Sequence, residues 1–254
     1  SKFNNPYNTI ISVTILPAIY SEILNIGDEY VFKILYQLVF SFVPLIMFII
    51  FTKYTEKWVA FLSVFFFMSN SAFSLQMTSV ARQEVAMFFF ALIIFVILNR
   101  KIHAPKGKIP YIIFGIALIL SHYYQTYLFL LLLLLTYLIQ LCYKKFRITD
   151  KGKGIRATLV SLFIIVTFLW YGQTTATTFT YTIDWIGEVF KGLNELFIFE
   201  SRMISISDAI GFVEYSSIPS LMSSLTGLIT KCFILFGGVY ILLKKKFSFT
   251  YRSM

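Results

Sequence analysis

The chain has 254 residues, of which 58% are hydrophobic and 13% are charged, and its formal net charge is +10. A soluble domain of this length carries about 45–50% apolar and about 25% charged residues, so the composition excludes a soluble enzyme, a disordered chain and a disulfide scaffold. The composition predicts a polytopic transmembrane protein. Because the apolar runs lack the alternation of barrel strands, we expect an all-α, polytopic transmembrane helical bundle.

Four regions are predicted along the chain. Residues 1–29 contain two prolines and three acidic residues, which favours an irregular external segment with a short helix. Residues 30–172 hold the first six predicted spans, 173–220 form an external loop, and 221–254 hold the last span and a basic tail. The hydrophobic segments that predict about seven spans lie at 30–52, 58–75, 80–98, 111–124, 125–143, 157–172 and 221–243.

Basic residues are concentrated in every second loop of this arrangement. Sixteen of the 22 Lys and Arg residues lie at 53–57, 99–110, 144–156 and 244–254, together with two of the 12 acidic residues. Cytoplasmic loops carry such an excess of positive charge. The pattern therefore predicts a multi-pass plasma-membrane protein with its N-terminal segment outside and its basic tail in the cytoplasm, and it favours an orientation signal over a nucleic-acid partner.

Two polar breaks interrupt the apolar segments on the predicted outer side. The first runs from Ser69 to Glu84, and the second runs from Ser121 to Thr126. A span of about 20 residues is needed to cross the hydrocarbon core, and several of the segments are shorter than that. We therefore expect some spans to be short or broken, and the second break to lie below the outer headgroups, inside the protein.

The external loop at 173–220 contains an amphipathic pattern. Between 184 and 197, apolar residues repeat at helical spacing and charged residues occupy the other face. This predicts a helix on the outer leaflet, which either packs against the spans or forms a lid over a lipid-accessible cleft.

Ionisable residues at membrane depth mark the candidate functional positions. Each costs roughly 2.5–3.5 kcal/mol on insertion scales, so it needs a partner or a wet cavity. Arg82 either snorkels to the headgroups or offers a fork of donors to a phosphate or diphosphate. His122 is either a neutral core histidine or a second phosphate ligand. Lys231 either snorkels or pairs with an acid or phosphate, and Gln83 and Tyr123 complete the predicted phosphate-binding set.

Three carboxylates are candidates for acid–base catalysis on the outer side: Glu22, Asp28 and Glu84. The alternative for Glu84 is structural, because an acidic residue in the first turn of a helix complements the helix dipole.

No cofactor or metal site is predicted. Cys142 and Cys232 are isolated thiols, and His103 is the one other histidine, in a basic internal loop, so neither a haem nor a metal site has the ligands it needs. A divalent cation has no support in the sequence. Since the chain opens on Ser-Lys-Phe without a charged-then-apolar leader, we expect it to begin inside a longer protein.

Three patches carry a family resemblance. Asn5 to Pro17 (NPYNTIISVTILP), Met77 to Ala86 (MTSVARQEVA) and Leu120 to Tyr123 (LSHY) resemble, in this order, an uncharacterised family of archaeal multipass membrane proteins, as do Phe32-Lys33 and Pro44. The resemblance covers roughly residues 5–143. Such proteins are similar to glycosyltransferases of the GT-C superfamily.

The resemblance implies a GT-C-like fold and a function in cell envelope glycosylation. Enzymes of that kind move a sugar from a polyprenyl-phosphate carrier to an acceptor on the outer face, so the implied partners are membrane lipid and a lipid-linked sugar donor. It also implies a catalytic carboxylate in a first external loop, upstream of the point where this chain starts.

Three alternatives stay open at this stage. An O-antigen-type polymerase or ligase also uses external Arg and His residues, and it would transfer a whole carrier-linked repeat. A lipid or solute transporter (flippase) would use broken spans and ionisable residues to move its substrate without a covalent product. A non-catalytic membrane subunit would bury its Phe-rich surface against another chain.

Overall fold

The computed structural model describes residues 10–70, 73, 81–98, 105–145 and 157–174, together with 183, 187, 225, 227–230 and 232–237. All regular secondary structure in these residues is helical, which confirms the predicted all-α class. Lys231, positions 71–72 and 74–80 of the first polar break, and most of the external loop, including the predicted amphipathic helix apart from Gly187, lie outside the described residues.

Within the ranges 10–70, 81–98, 105–145 and 157–174, eight α-helices and two π-helical segments follow one another. The π-helical segment Val31–Leu35 joins α2 to α3, and the segment Leu169–Thr174 continues α8. The α-helices are α1 (Ile11–Leu24), α2 (Asp28–Tyr30), α3 (Tyr36–Phe51), α4 (Lys57–Ser69), α5 (Ala81–Leu98), α6 (Pro105–Ser121), α7 (Tyr123–Lys145) and α8 (Ala157–Phe168).

The helix ends differ most from the predicted segments at two places. α4 ends at Ser69, before the predicted limit of residue 75, because Asn70 adopts an extended backbone. α6 begins at Pro105, ahead of the predicted start at 111, and reaches 17 residues. Proline suits the first position of a helix, where its missing N–H costs no hydrogen bond, so the polar start of α6 was mistaken for loop.

The centre of the bundle is formed by α5, which packs between α3 and α6. One core cluster joins Ile93 of α5 to Leu118 of α6, Phe129 of α7 and Phe163 of α8. A second cluster joins Phe40 and neighbouring residues of α3 to α5. α1 lies across the bundle against α5 and α6.

The outer surface of the bundle is strongly apolar. Large hydrophobic side chains are exposed along the whole length of several helices; examples are Leu38, Phe42 and Ile49 on α3, Phe61 and Phe65 on α4, and Leu131, Leu135 and Leu138 on α7. A water-soluble monomer rarely exposes apolar patches of this extent. By length and composition, the helices Asp28–Phe51 (24 residues) and Tyr123–Cys142 (20 residues) are able to cross a membrane.

The two ends of the bundle are chemically different. At one end the basic turn after α3 contacts the end of α5, where Lys53 Nζ lies 4.5 Å from the centroid of the Phe95 ring and the Tyr54 hydroxyl donates to the Leu98 carbonyl. The beginnings of α3, α5 and α7 and the ends of α6 and α8 lie at the opposite end. We call this opposite end the polar end, because buried polar side chains gather there.

A core substitution tests the packing around α5. Ile93 is fully buried between α6 and α8, so Ile93→Ala removes contacts that the surrounding helices cannot restore. We expect a loss of about 2–5 kcal/mol in the free energy of unfolding, measured in detergent. The matched control is Ile113→Ala on the exposed face of α6, which should have little effect. Equal effects of both substitutions would contradict the assignment of α5 to the core.

Candidate functional site

Buried and partly buried polar residues from five parts of the chain meet at the polar end of the bundle. The central group, which we call the polar site, consists of Arg82, Glu84, His122 and Gln125. The residues that surround it are Ser12, Tyr36, Gln37, Ser121, Thr126 and Tyr171.

Glu84 is a fully buried carboxylate in the first turn of α5. Its Oε1 accepts a hydrogen bond from Gln37 Nε2 at 2.6 Å, and its charge acts on the phenol of Tyr36. Its Oε2 is also buried, and no described residue hydrogen-bonds to that atom. The N-terminal end of the helix favours negative charge at this position, but the free Oε2 leaves one strong acceptor for a further partner.

Arg82 precedes Glu84 by two residues and is partly exposed, with its Nε atom buried. Its positive charge acts on the ring of His122. The structure therefore places two of the predicted phosphate ligands, 40 positions apart in the sequence, close enough for their charges to interact.

His122 is the residue between α6 and α7, and its imidazole caps the start of α7. The Nδ1 atom accepts a hydrogen bond from the backbone N–H of Tyr124 at 3.2 Å, so in the neutral ring the proton lies on Nε2. The Tyr123 ring stacks on the imidazole at 4.8 Å between centroids. His122 is 3% exposed, its Nε2 is buried, and the side chain of Gln125 lies within hydrogen-bonding reach of the ring.

Gln125 lies one turn along α7 from His122 and interacts with its ring. The amide is buried, and its Oε1 is the acceptor that it can offer to the imidazole N–H. The polar site thus contains a guanidinium, an Nε2–H donor and two acceptor oxygens. Within the described residues the buried Oε2 of Glu84 accepts no hydrogen bond, and a buried acceptor without a donor is costly, so this arrangement favours a polar ligand or ordered water beside Glu84.

Several residues of this region were missed by the sequence analysis. The Ser12 hydroxyl donates to the Ser121 carbonyl at 2.8 Å, and the Tyr36 hydroxyl donates to the Ser12 carbonyl. Ser12 lies in a segment that the sequence placed outside the spans. The available signal was Gln37, an amide inside a long apolar segment, because such residues face the protein interior.

The remaining candidate residues divide into two exposed carboxylates and two side chains that adjoin the polar site. Glu22 on α1 and Asp28 at the start of α2 are both exposed, so the structure does not bring them into the buried group. Gln83 is partly buried next to Arg82, and Tyr123 is partly buried over His122. Glu84 is therefore the candidate carboxylate that shares the polar end with Arg82 and His122.

A cation-binding cluster is not found in the described residues, which contain no group of three or more His, Cys, Asp and Glu side chains suited to a metal ion. Cys142 and Cys232 are free, and both are exposed.

The Gln37–Glu84 contact predicts a pairwise effect on stability. Gln37→Leu removes the donor that satisfies Oε1 and leaves a buried carboxylate, so we expect a loss of about 1–3 kcal/mol in the free energy of unfolding. Adding Glu84→Leu should recover most of that loss, since both polar groups are then absent. Equilibrium unfolding of the two single variants and the double variant measures this coupling, and additive losses would contradict it.

Comparison with known proteins gives a family for the chain. The family model described as "Predicted membrane protein (DUF2206)" matches residues 107–254, more than half of the chain. The matched range contains His122, Gln125 and Tyr171, whereas Arg82 and Glu84 precede it. Neither the search of curated proteins nor the search of solved structures gives a match.

Proposed function

We propose that this chain, which belongs to the DUF2206 family of predicted membrane proteins, is an integral membrane glycosyltransferase of GT-C type. In this proposal it transfers a sugar from a polyprenyl-phosphate donor to an acceptor on the outer face of the plasma membrane. The observation that carries the proposal is the gathering of Arg82, His122 and Glu84 at the polar end of an apolar bundle.

The proposed chemistry follows from the donors and acceptors of the polar site. Arg82 and the Nε2–H of His122 hold the phosphate that links carrier and sugar. An acceptor hydroxyl attacks the anomeric carbon, the bond from that carbon to the phosphate oxygen breaks, and polyprenyl phosphate leaves with the bonding electron pair. Glu84 Oε2 takes the proton of the acceptor hydroxyl, and Arg82 and His122 stabilise the charge on the leaving phosphate.

In the proposed topology, the polar site lies on the outer side of the membrane, where the sugar of a lipid-linked donor is transferred. The bundle crosses the membrane about seven times, with the basic turn at Lys53 on the cytoplasmic side and the polar end on the outer side. Lys231 in the last span is a further phosphate ligand in this proposal. Gln83 flanks the Arg82 guanidinium, and Tyr123 flanks the His122 imidazole.

The test is an assay in proteoliposomes with a polyprenyl-phosphate donor carrying a radiolabelled sugar, together with an acceptor in the external buffer. Transfer of single sugars to the acceptor supports the proposal. Transfer of a whole carrier-linked repeat indicates the polymerase or ligase, and movement of label without a covalent product indicates the transporter. Either result, or no turnover of any kind, would overturn the proposed function.

The histidine in the site has a natural control in this chain. His122→Ala should reduce transfer strongly, because the substitution removes the buried Nε2–H donor and the cap of α7 together. His103→Ala, in the predicted cytoplasmic loop, should leave transfer unchanged. Loss of transfer in the His103 variant, or its retention in the His122 variant, would contradict the role given to the polar site.

A further inference from the structure

The break between α6 and α7 exposes backbone groups that a membrane protein must satisfy internally. The last four carbonyls of a helix have no partner within that helix, and in hydrocarbon each unsatisfied group costs several kcal/mol. α6 ends at Ser121, and α7 begins two residues later at Tyr123. His122, between them, carries the buried Nε2–H donor of the polar site.

Side chains from three other parts of the chain bind the carbonyls of this last turn. The Thr126 hydroxyl, on α7, shares its proton between the carbonyls of Leu118 (3.2 Å) and His122 (2.8 Å). The Tyr171 hydroxyl donates to the Ile119 carbonyl. On the other side, Ser12 of α1 donates to the Ser121 carbonyl.

Tyr171 contacts both helices that meet at His122. Besides its bond to Ile119 of α6, its hydroxyl lies within hydrogen-bonding reach of Thr126, and its ring packs on Tyr127 at 5.5 Å between centroids. It is 1% exposed and belongs to the π-helical segment Leu169–Thr174. Wide turns of this kind change the direction of the side chains that follow them and are frequent at functional sites.

We infer that Tyr171 and Thr126 form a brace across the α6–α7 break that fixes the direction of the His122 Nε2–H donor. Both are positioning residues, because they act on His122 through the backbone carbonyls of Leu118, Ile119 and His122. Only the effect of the brace on turnover rests on the proposed function. The orientation and tautomer of His122 are properties of the resting protein and do not depend on it.

The chain allows a direct measurement of that tautomer. It contains two histidines, so His103→Asn leaves His122 as a single reporter. Nitrogen-15 NMR of histidine-labelled protein in detergent then distinguishes Nε2–H from Nδ1–H. With the brace intact, we expect one signal set of the Nε2–H tautomer, because Nδ1 is occupied by the Tyr124 N–H.

Removing the brace should release the ring. In Tyr171→Phe we expect the population of other His122 states to rise about fivefold, as the loss of one hydrogen bond of ordinary net strength allows. Thr126→Val should have the same effect, and Thr126→Ser, which keeps the hydroxyl, should restore the original signal. The matched control is Tyr137→Phe, which removes a phenol hydroxyl from α7 at a position away from the break.

The outcomes are separable from those of the glycosyltransferase assay. An unchanged His122 signal in folded Tyr171→Phe, or in Thr126→Val if the tyrosine variant does not fold, would overturn the brace whatever the turnover. A changed signal in these variants, with the control unchanged, supports the brace even if the wild-type protein transfers no sugar. Absence of wild-type turnover counts against the proposed function alone.

Discussion

Glu84→Gln is expected to lower sugar transfer by about 10²–10⁴-fold, the contribution typical of a positioned general base. The substitution keeps the shape of the side chain and can still accept a hydrogen bond from Gln37, so the fold of the polar end should survive. What it removes is the ability of the Oε2 atom to take a proton. Binding of the polyprenyl-phosphate donor should therefore stay close to that of the wild-type protein.

The measurement combines single-turnover transfer with equilibrium binding of the donor. Glu29→Gln is the matched control, since Glu29 is an exposed carboxylate whose Oε2 lies 3.3 Å from Lys33 Nζ. An exposed pair of this kind contributes little to stability, so the control should retain transfer. If Glu84→Gln transferred sugar at the wild-type rate, the acceptor proton would have to go to another group and the assignment of Glu84 would be wrong.

Arg82→Ala is expected to lower the rate of transfer by about 10²–10³-fold and to weaken donor binding, because a charged donor is lost from a water-poor site. Arg82→Lys should recover only part of this loss. The guanidinium binds two phosphate oxygens with its planar fork, whereas the lysine ammonium is a single compact charge.

Inorganic phosphate and polyprenyl phosphate are used as competitors of the labelled donor. Inorganic phosphate reports binding of the phosphate group alone, and polyprenyl phosphate reports binding of the phosphate together with the carrier lipid. Both should compete with the donor in the wild-type protein, and inorganic phosphate should lose its effect in Arg82→Ala. Lys33→Ala, which removes an exposed cation, is the matched control. Wild-type competition by inorganic phosphate in the Arg82 variant would show that the phosphate binds elsewhere.

At the break between α6 and α7, local sequence predicted the polar turn but did not predict the residues that hydrogen-bond to it. Ser121, His122 and Gln125 interrupt long apolar runs, and this pattern was enough to predict a polar turn inside the protein. The same pattern could not predict that Ser12 and Tyr171 supply hydrogen bonds to that turn. Those partners lie 109 and 52 residues from the carbonyls they bind, and they are fixed by how α1 and the end of α8 pack on α6.

The three candidate carboxylates could not be distinguished from local sequence either. Glu22, Asp28 and Glu84 were equivalent candidates in the sequence, because each lies on the predicted outer side. They differ in burial, which depends on the neighbours of each helix: Gln37 and Tyr36 enclose Glu84, whereas Glu22 and Asp28 are exposed.

The helical class and the approximate helical segments could be predicted from local sequence, because apolar bulk and the positions of polar breaks are local properties of the chain. The membrane family of the chain agrees with that composition. Which polar residues meet depends on how the helices pack. The charge of Arg82 comes within range of His122, and Tyr171 reaches Ile119, through helix packing, and packing depends on the shapes of side chains that are distant in the sequence.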